Sequence, residues 1–148
     1  MEDIHVNWIA LAVAALSTLV IGFLWYGPLF GKAWMKETGI TEAQAQKGMP
    51  LRFGLSVILA FIAVFFIYAT SVITGGMPPD EVHSIDNAQF HTFGHGAIHG
   101  VGAALFLVMP ALVTNSLFEQ RSFKYMLINV GYWVVTFAIM GGIVNAWV

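Results

Sequence analysis

The sequence predicts an all-α polytopic membrane protein with four transmembrane helices, from its composition and the length of its apolar runs. Of the 148 residues, 58% are hydrophobic and 9% are charged, whereas a soluble domain carries about 25% charged residues. A helix needs about 20 apolar residues to cross ~30 Å of hydrocarbon. Four runs meet this requirement, at about 6–26, 53–73, 90–113 and 125–148. We therefore expect residues 1–148 to form one four-helix transmembrane domain.

The first run is predicted to be a retained helix and not a secretory signal. It is longer than the apolar region of a signal peptide, and Glu2 and Asp3 stand where a signal would carry basic residues. In the following connection, Phe30 and Trp34 beside Lys32 indicate a segment that lies in the membrane interface. Thr41 followed by Gln44 predicts a capping box and a short helix over 42–47.

The basic residues predict how the chain is oriented. They occur in only two connections, which hold Lys32, Lys36, Lys47 and Arg52, and Arg121 and Lys124. Because basic loops stay cytoplasmic, we expect two cytoplasmic hairpins and both termini outside. The predicted location is a cytoplasmic membrane, as a multi-pass protein.

The outer side is predicted to be acidic. It holds Glu2, Asp3, Asp80, Glu81 and Asp86, and no Lys or Arg. Such a surface attracts cations, although exclusion of basic residues from the outside already explains the missing Lys and Arg.

The third run contains three histidines at four-residue spacing, His91, His95 and His99, which we name the histidine ladder. A helix turns about 100° per residue, so this spacing keeps the three imidazoles on one face over about 12 Å. Ionisable side chains in a membrane span are costly and usually mark a site. The ladder is therefore the strongest functional candidate in the sequence.

Several chemistries suit the ladder. Imidazole binds divalent transition metals, and His83 and Asp86 from the preceding loop could complete the ligand set. Histidine also relays protons, because it titrates near neutral pH. Axial ligation of haem is a less favoured use. The alternative is that the imidazoles are packing residues that hydrogen-bond to neighbouring helices.

Small and polar residues predict tight helix packing. Gly96 and Gly100 form a GxxxG pair, which permits close backbone approach and offers contact points for a homo-oligomer. Asn115 and Asn129 are expected to hydrogen-bond between the last two spans. Pro110 removes a backbone hydrogen bond and is expected to kink the third span.

One stretch carries a family resemblance. Its interfacial motif contains Trp25, Tyr26, Gly27, Pro28, Phe30, Lys32 and Trp34. This motif, with matching segments near Asn115, Asn129 and Gly141, resembles the bacterial membrane family known as domain of unknown function 1761. The resemblance spans the whole chain and implies a compact four-helix membrane protein, but it brings no activity, substrate or cofactor.

We therefore expect a cation-linked binding or transport protein that uses the ladder to hold a divalent metal or a proton. Four helices are too few to enclose a wide pore, so transport predicts a homo-oligomer in the lipid bilayer. The alternatives are a structural or interaction module and, less favoured, a haem- or quinone-binding redox protein. The chain lacks the common catalytic signatures, which disfavours an enzyme, and we expect no nucleic-acid partner.

Overall fold

The fold comes from a computed structural model that describes residues 6–70 and 90–147. This part of the chain contains seven α-helices and two π-helical segments, with no strand. The α-helices are α1 (Trp8–Leu24), α2 (Gly31–Thr38), α3 (Glu42–Gln46), α4 (Met49–Tyr68), α5 (Phe93–Ala103), α6 (Met109–Phe118) and α7 (Phe123–Ala146). The π-helical segments are Trp25–Leu29, after α1, and Ala104–Val108, between α5 and α6.

The predicted four-helix membrane architecture is confirmed. Four continuous helical spans are long and apolar enough to cross a membrane. They are Trp8–Leu29, Met49–Tyr68, Phe93–Phe118 and Phe123–Ala146, which we number as the first to fourth spans. Most residues of the spans are not buried inside the protein. Even in the fourth span, which is the most buried, only 39% of the apolar 18-residue stretch is buried. Apolar surface of this extent associates with a lipid bilayer.

The limits of the spans differ from the predicted ones because caps and prolines, and not hydropathy alone, set them. The second span begins at Met49, four residues before the predicted start, because Gly48 adopts a left-handed conformation (φ 73°) immediately before it. The third span begins at the Thr92 N-cap and continues to Phe118. Residues 71–73, predicted to end the second run, lie outside the described residues.

Both π-helical segments occur beside a proline. In the first, the N–H of Phe30 donates to the carbonyl of Trp25, five residues back, at 2.8 Å, and Pro28 lies within this turn. In the third span, the segment Ala104–Val108 ends just before Pro110, where we expected a kink. A proline has no N–H and its ring crowds the carbonyl four residues earlier. A wider turn relieves this crowding, so the helix continues through it.

The third and fourth spans pack with their backbones in close contact. A Cβ atom on Gly96 would overlap the carbonyl oxygen of Gly141, and one on Gly100 would overlap that of Phe137. Both glycines are therefore enclosed within the chain. The expectation that Gly96 and Gly100 contact a second protomer is wrong, because α7 occupies that face.

The centre of the bundle is filled with apolar side chains. Leu11, Val64, Ile67, Met140 and Val144, from the first, second and fourth spans, are each at most 1% exposed.

The two hairpin connections meet at one end of the bundle. Ser122 donates a hydrogen bond to the carboxylate of Glu37, which joins α2 to the start of α7. The short helix predicted from the Thr41 capping box is confirmed as α3, with both capping bonds present. We call this end, which carries the basic connections, the basic end. At the opposite end, Asn7 Nδ2 donates to the carbonyl of Trp147 at 2.7 Å.

Candidate functional site

The start of the third span determines which histidines share a helical face. Thr92 has an extended backbone (φ −121°, ψ 152°), and its side chain accepts a hydrogen bond from the N–H of His95. The helix therefore begins at Phe93, and His91 lies before its N-cap. The prediction of a three-rung helical ladder is wrong for its first rung, because the Thr92 cap starts the helix at Phe93, two residues after His91.

His95 and His99 form a direct pair one turn apart on α5. Their Nε2 atoms are 3.1 Å apart, their ring centroids are 4.7 Å apart, and the ring planes are inclined by 54°. A neutral imidazole has one N–H donor and one acceptor nitrogen. One Nε2 of the pair therefore carries a hydrogen and the other accepts it, so one proton lies between the two rings.

Geometry also limits how many protons the pair can hold. If one ring becomes fully protonated, it still donates through Nε2 to its neutral partner, so the pair keeps its hydrogen bond with a net charge of +1. If both rings are protonated, two N–H groups face each other and the bond is lost. The hydrogen bond between the rings therefore persists with one additional proton and is lost with two.

The pair adjoins an open groove between the second and third spans. Its volume is about 340 Å³. Phe66 of the second span and Thr70, two residues after its end, line one wall, and His99 lies on the opposite wall. The rest of the lining is apolar or glycine, namely Ile98, Gly102, Ala103, Phe106 and Leu107. His99 is therefore the imidazole that a molecule or ion in this groove would meet.

The fourth span holds the start of α5 in place through Asn145. Its Nδ2 donates to the carbonyls of Phe90 and Thr92, at 2.6 Å and 2.8 Å. The Phe90 ring in turn lies 5.3 Å from the His95 ring, centroid to centroid. Asn145 is fully buried, and its Oδ1 has no hydrogen-bond partner among residues 6–70 and 90–147. This amide positions the segment that carries the histidine pair.

The predicted metal ligands do not assemble within the described part of the chain. No group of three or more His, Cys, Asp or Glu side chains is close enough there to share a metal ion. His83 and Asp86, expected to complete a metal shell, lie outside the described residues. Within the described ranges, only His95 and His99 are brought together.

The interfacial motif contacts the fourth span as well as the membrane surface predicted for it. Trp25 Nε1 donates to the carbonyl of Ile128 at 2.9 Å, and the Tyr26 hydroxyl donates to Asn129 Oδ1 at 2.8 Å. The Trp34 ring meets Tyr26 edge-on at 5.5 Å between centroids. This part of the motif joins α1 and α2 to α7 at the basic end. Gly27, Pro28 and Lys32 are exposed.

The two asparagines expected to connect the last two spans have different surroundings. Asn129 contacts Tyr26 and donates through Nδ2 to the carbonyl of Tyr125 at 2.8 Å. Asn115 is exposed on α6, and its side chain makes no hydrogen bond within the described residues. The interhelical hydrogen bonding expected of Asn115 is therefore absent in this part of the chain, whereas Asn129 makes its interhelical bond to Tyr26 of the first span.

Sequence reasoning missed Asn145 and Tyr132. Asn145 is a polar residue in an apolar span, and this by itself could have marked it. The Tyr132 ring packs 5.1 Å from that of Tyr26, a pairing between distant segments that has no local sequence signal.

Comparison with known proteins identifies the family. No curated protein and no solved structure gives a match. The family model described as "Protein of unknown function (DUF1761)" matches residues 9–145. This match covers all four spans except Trp8 and Ala146 at their outer ends, together with the interfacial motif and the histidine pair, so the chain belongs to the DUF1761 family.

Proposed function

We propose that this protein is a cation-linked membrane protein whose cation is held between His95 and His99. The single observation that carries the proposal is the 3.1 Å contact between the two Nε2 atoms. It places two titratable nitrogens together in a span that has no other titratable side chain, beside a groove that leads to His99. The geometry favours a proton, because this separation is that of a hydrogen bond.

A divalent metal is the second candidate. Two imidazole nitrogens that bind one tetrahedral zinc at about 2.0–2.1 Å lie about 3.3 Å apart. The observed separation of 3.1 Å is close to this value. A bound metal would replace the shared hydrogen, and groups from the groove or from water would complete its coordination.

Transport of the cation would need a second copy of the chain. The centre of the bundle is filled by Leu11, Val64 and Met140, so the path we propose runs along the groove beside His99. That groove is open on one side, and a neighbouring protomer would close it. We infer a homo-oligomer in a bacterial inner membrane, with the basic end in the cytoplasm.

The test is proton flux into proteoliposomes that contain a trapped pH-sensitive dye. The His95→Ala/His99→Ala variant should lose the flux seen with the unchanged protein. The His91→Ala variant is the matched control, because His91 lies before the helix and outside the pair; its flux should be normal. Equal flux in all three proteins would remove the proposal.

Metal content and spectra separate the remaining possibilities. Near-stoichiometric zinc, nickel or copper that is lost in the double variant would replace the proton by a metal. A haem band would indicate the redox alternative. If the unchanged protein is metal-free and colourless, and the double variant has normal flux and a lower unfolding temperature, the histidines are packing residues of a structural module.

A further inference from the structure

A second pocket lies at the basic end, on the membrane-facing surface between the first span and α7. Its volume is about 330 Å³. Apolar and aromatic side chains, one glycine and one lysine line it, namely Trp25, Phe30, Lys124, Leu127, Ile128 and Gly131. Because Leu127 is 58% exposed, the pocket opens toward the surrounding lipid and not into the core.

Three contacts hold the Trp25 indole that forms the wall of this pocket. Trp25 is held by its bond to the Ile128 carbonyl at 2.9 Å, and the Phe30 ring packs on the indole at 4.6 Å between centroids. The indole also lies flush against Gly131, where a Cβ atom would come within 2.9 Å of Cζ2. The absence of a side chain at Gly131 thus creates the space that Trp25 occupies and gives the pocket its shape.

Lys124 supplies a positive charge at the mouth of the pocket. It is the second residue of α7, at the end of a span, where headgroups lie. Among residues 6–70 and 90–147, the one ion pair is that of Arg121 with Glu119. Lys124 therefore has no carboxylate partner within these residues. From Lys124 to Gly131 the helix rises about 10 Å, which takes the pocket from the headgroup level into the hydrocarbon.

We propose that this pocket binds an anionic phospholipid of the bilayer. Its phosphate would contact Lys124, and one acyl chain would lie over Leu127 against Trp25 and Gly131. A charged mouth above an apolar wall matches an occupant with an anionic head and an apolar tail. Basic pockets between transmembrane helices bind anionic headgroups in this way. The proposal is independent of the histidine pair, which lies near the other end of the bundle.

Native mass spectrometry would test the site. The protein is purified in micelles that contain equal amounts of phosphatidylglycerol and phosphatidylcholine with the same acyl chains, and the retained lipids are counted. The unchanged protein should retain phosphatidylglycerol in preference. Lys124→Gln should lower this preference about fivefold, the effect expected for one lysine near an anionic surface. Leu127→Trp, which fills the apolar part, should lower retention of both lipids.

Lys36→Gln is the matched control, because it removes the same charge from the basic end at an exposed residue of α2 that does not line the pocket. It should keep the preference. An unchanged preference in Lys124→Gln, or an equal loss in Lys36→Gln, would overturn the proposal. Displacement of the lipid by inorganic phosphate alone would also overturn it, because the site would then recognise an ion and not a lipid.

Discussion

At the scale of single residues, the polar side chains inside this bundle act as connectors between spans. Tyr26 reaches Asn129, Trp25 reaches the Ile128 carbonyl, and Asn145 reaches two carbonyls at the start of the third span. A hydrogen bond between helices in a membrane contributes about 0.6 kcal/mol on average. Its main effect is to fix which faces meet.

The bond between Tyr26 and Asn129 gives a prediction at this scale. Tyr26→Phe removes only the hydroxyl and should lower the free energy of unfolding by about 0.6 kcal/mol. Unfolding in mixed micelles measures this change. Asn129→Ala and the double variant complete a cycle, in which the coupling energy between the two positions should be of similar size. Strictly additive effects would show that the bond does not stabilise the protein.

The histidines show what a residue pattern can and cannot predict. Four-residue spacing correctly placed His95 and His99 on one helical face, because helix periodicity alone sets this relation. The same spacing failed for His91, since a threonine cap one residue later starts the helix after it. A threonine N-cap can be recognised from the local sequence. Thr92 lies inside the apolar run 90–113, however, so hydropathy alone did not indicate that the helix starts after it.

At the scale of elements, the contact between α5 and α7 depends on glycine at particular positions. Gly100 is enclosed against the Phe137 carbonyl, whereas Gly102, two residues later, has open space around it. The two residues are on the same helix and differ only in the face they occupy. They therefore form a matched pair for testing this contact.

Gly100→Ala should destabilise the protein by about 1–3 kcal/mol, because the methyl group forces the two backbones apart. Gly102→Ala should be neutral or stabilising by up to about 1 kcal/mol, since alanine has the higher helix propensity and meets no neighbour. Thermal unfolding of the two variants measures both effects. Equal melting temperatures would contradict the close packing of α5 on α7.

Proline affects the elements in a way that hydropathy does not reveal. Pro110 was expected to kink the third span, yet it and Pro28 each occur with a π-helical segment in a continuous span. The energetic cost of ending a helix inside lipid is high, because freed backbone groups have no water to bind. A wider π-helical turn retains most of the backbone hydrogen bonds, so the helix continues past each proline instead of ending there.

At the scale of the whole molecule, the separation of charge predicts the orientation in the membrane. The basic connections meet at one end, where Ser122 binds Glu37, and the Asn7–Trp147 contact marks the other end. The positive-inside rule predicts that the basic end lies in the cytoplasm.

Because the chain has no cysteine, single cysteines can report this orientation. Ala146→Cys should react with a membrane-impermeable thiol reagent in intact cells. Gln46→Cys, at the basic end, should react only after the cells are permeabilised. Both residues are exposed, so accessibility to solvent is set by the side of the membrane. The opposite labelling pattern would reverse the orientation and place the lipid pocket in the outer leaflet.

Four apolar spans can be predicted from the sequence, because the length and apolar character of each run are local properties. The shared face of His95 and His99 can be predicted as well, from helix periodicity. Other contacts are visible only in the folded protein: Gly96 and Gly100 contact α7 instead of a second protomer, Asn129 meets Tyr26, and Trp25 and Lys124 line one pocket. These contacts join residues distant in the chain, and steric fit between whole helices selects them from many pairings of similar hydrophobicity.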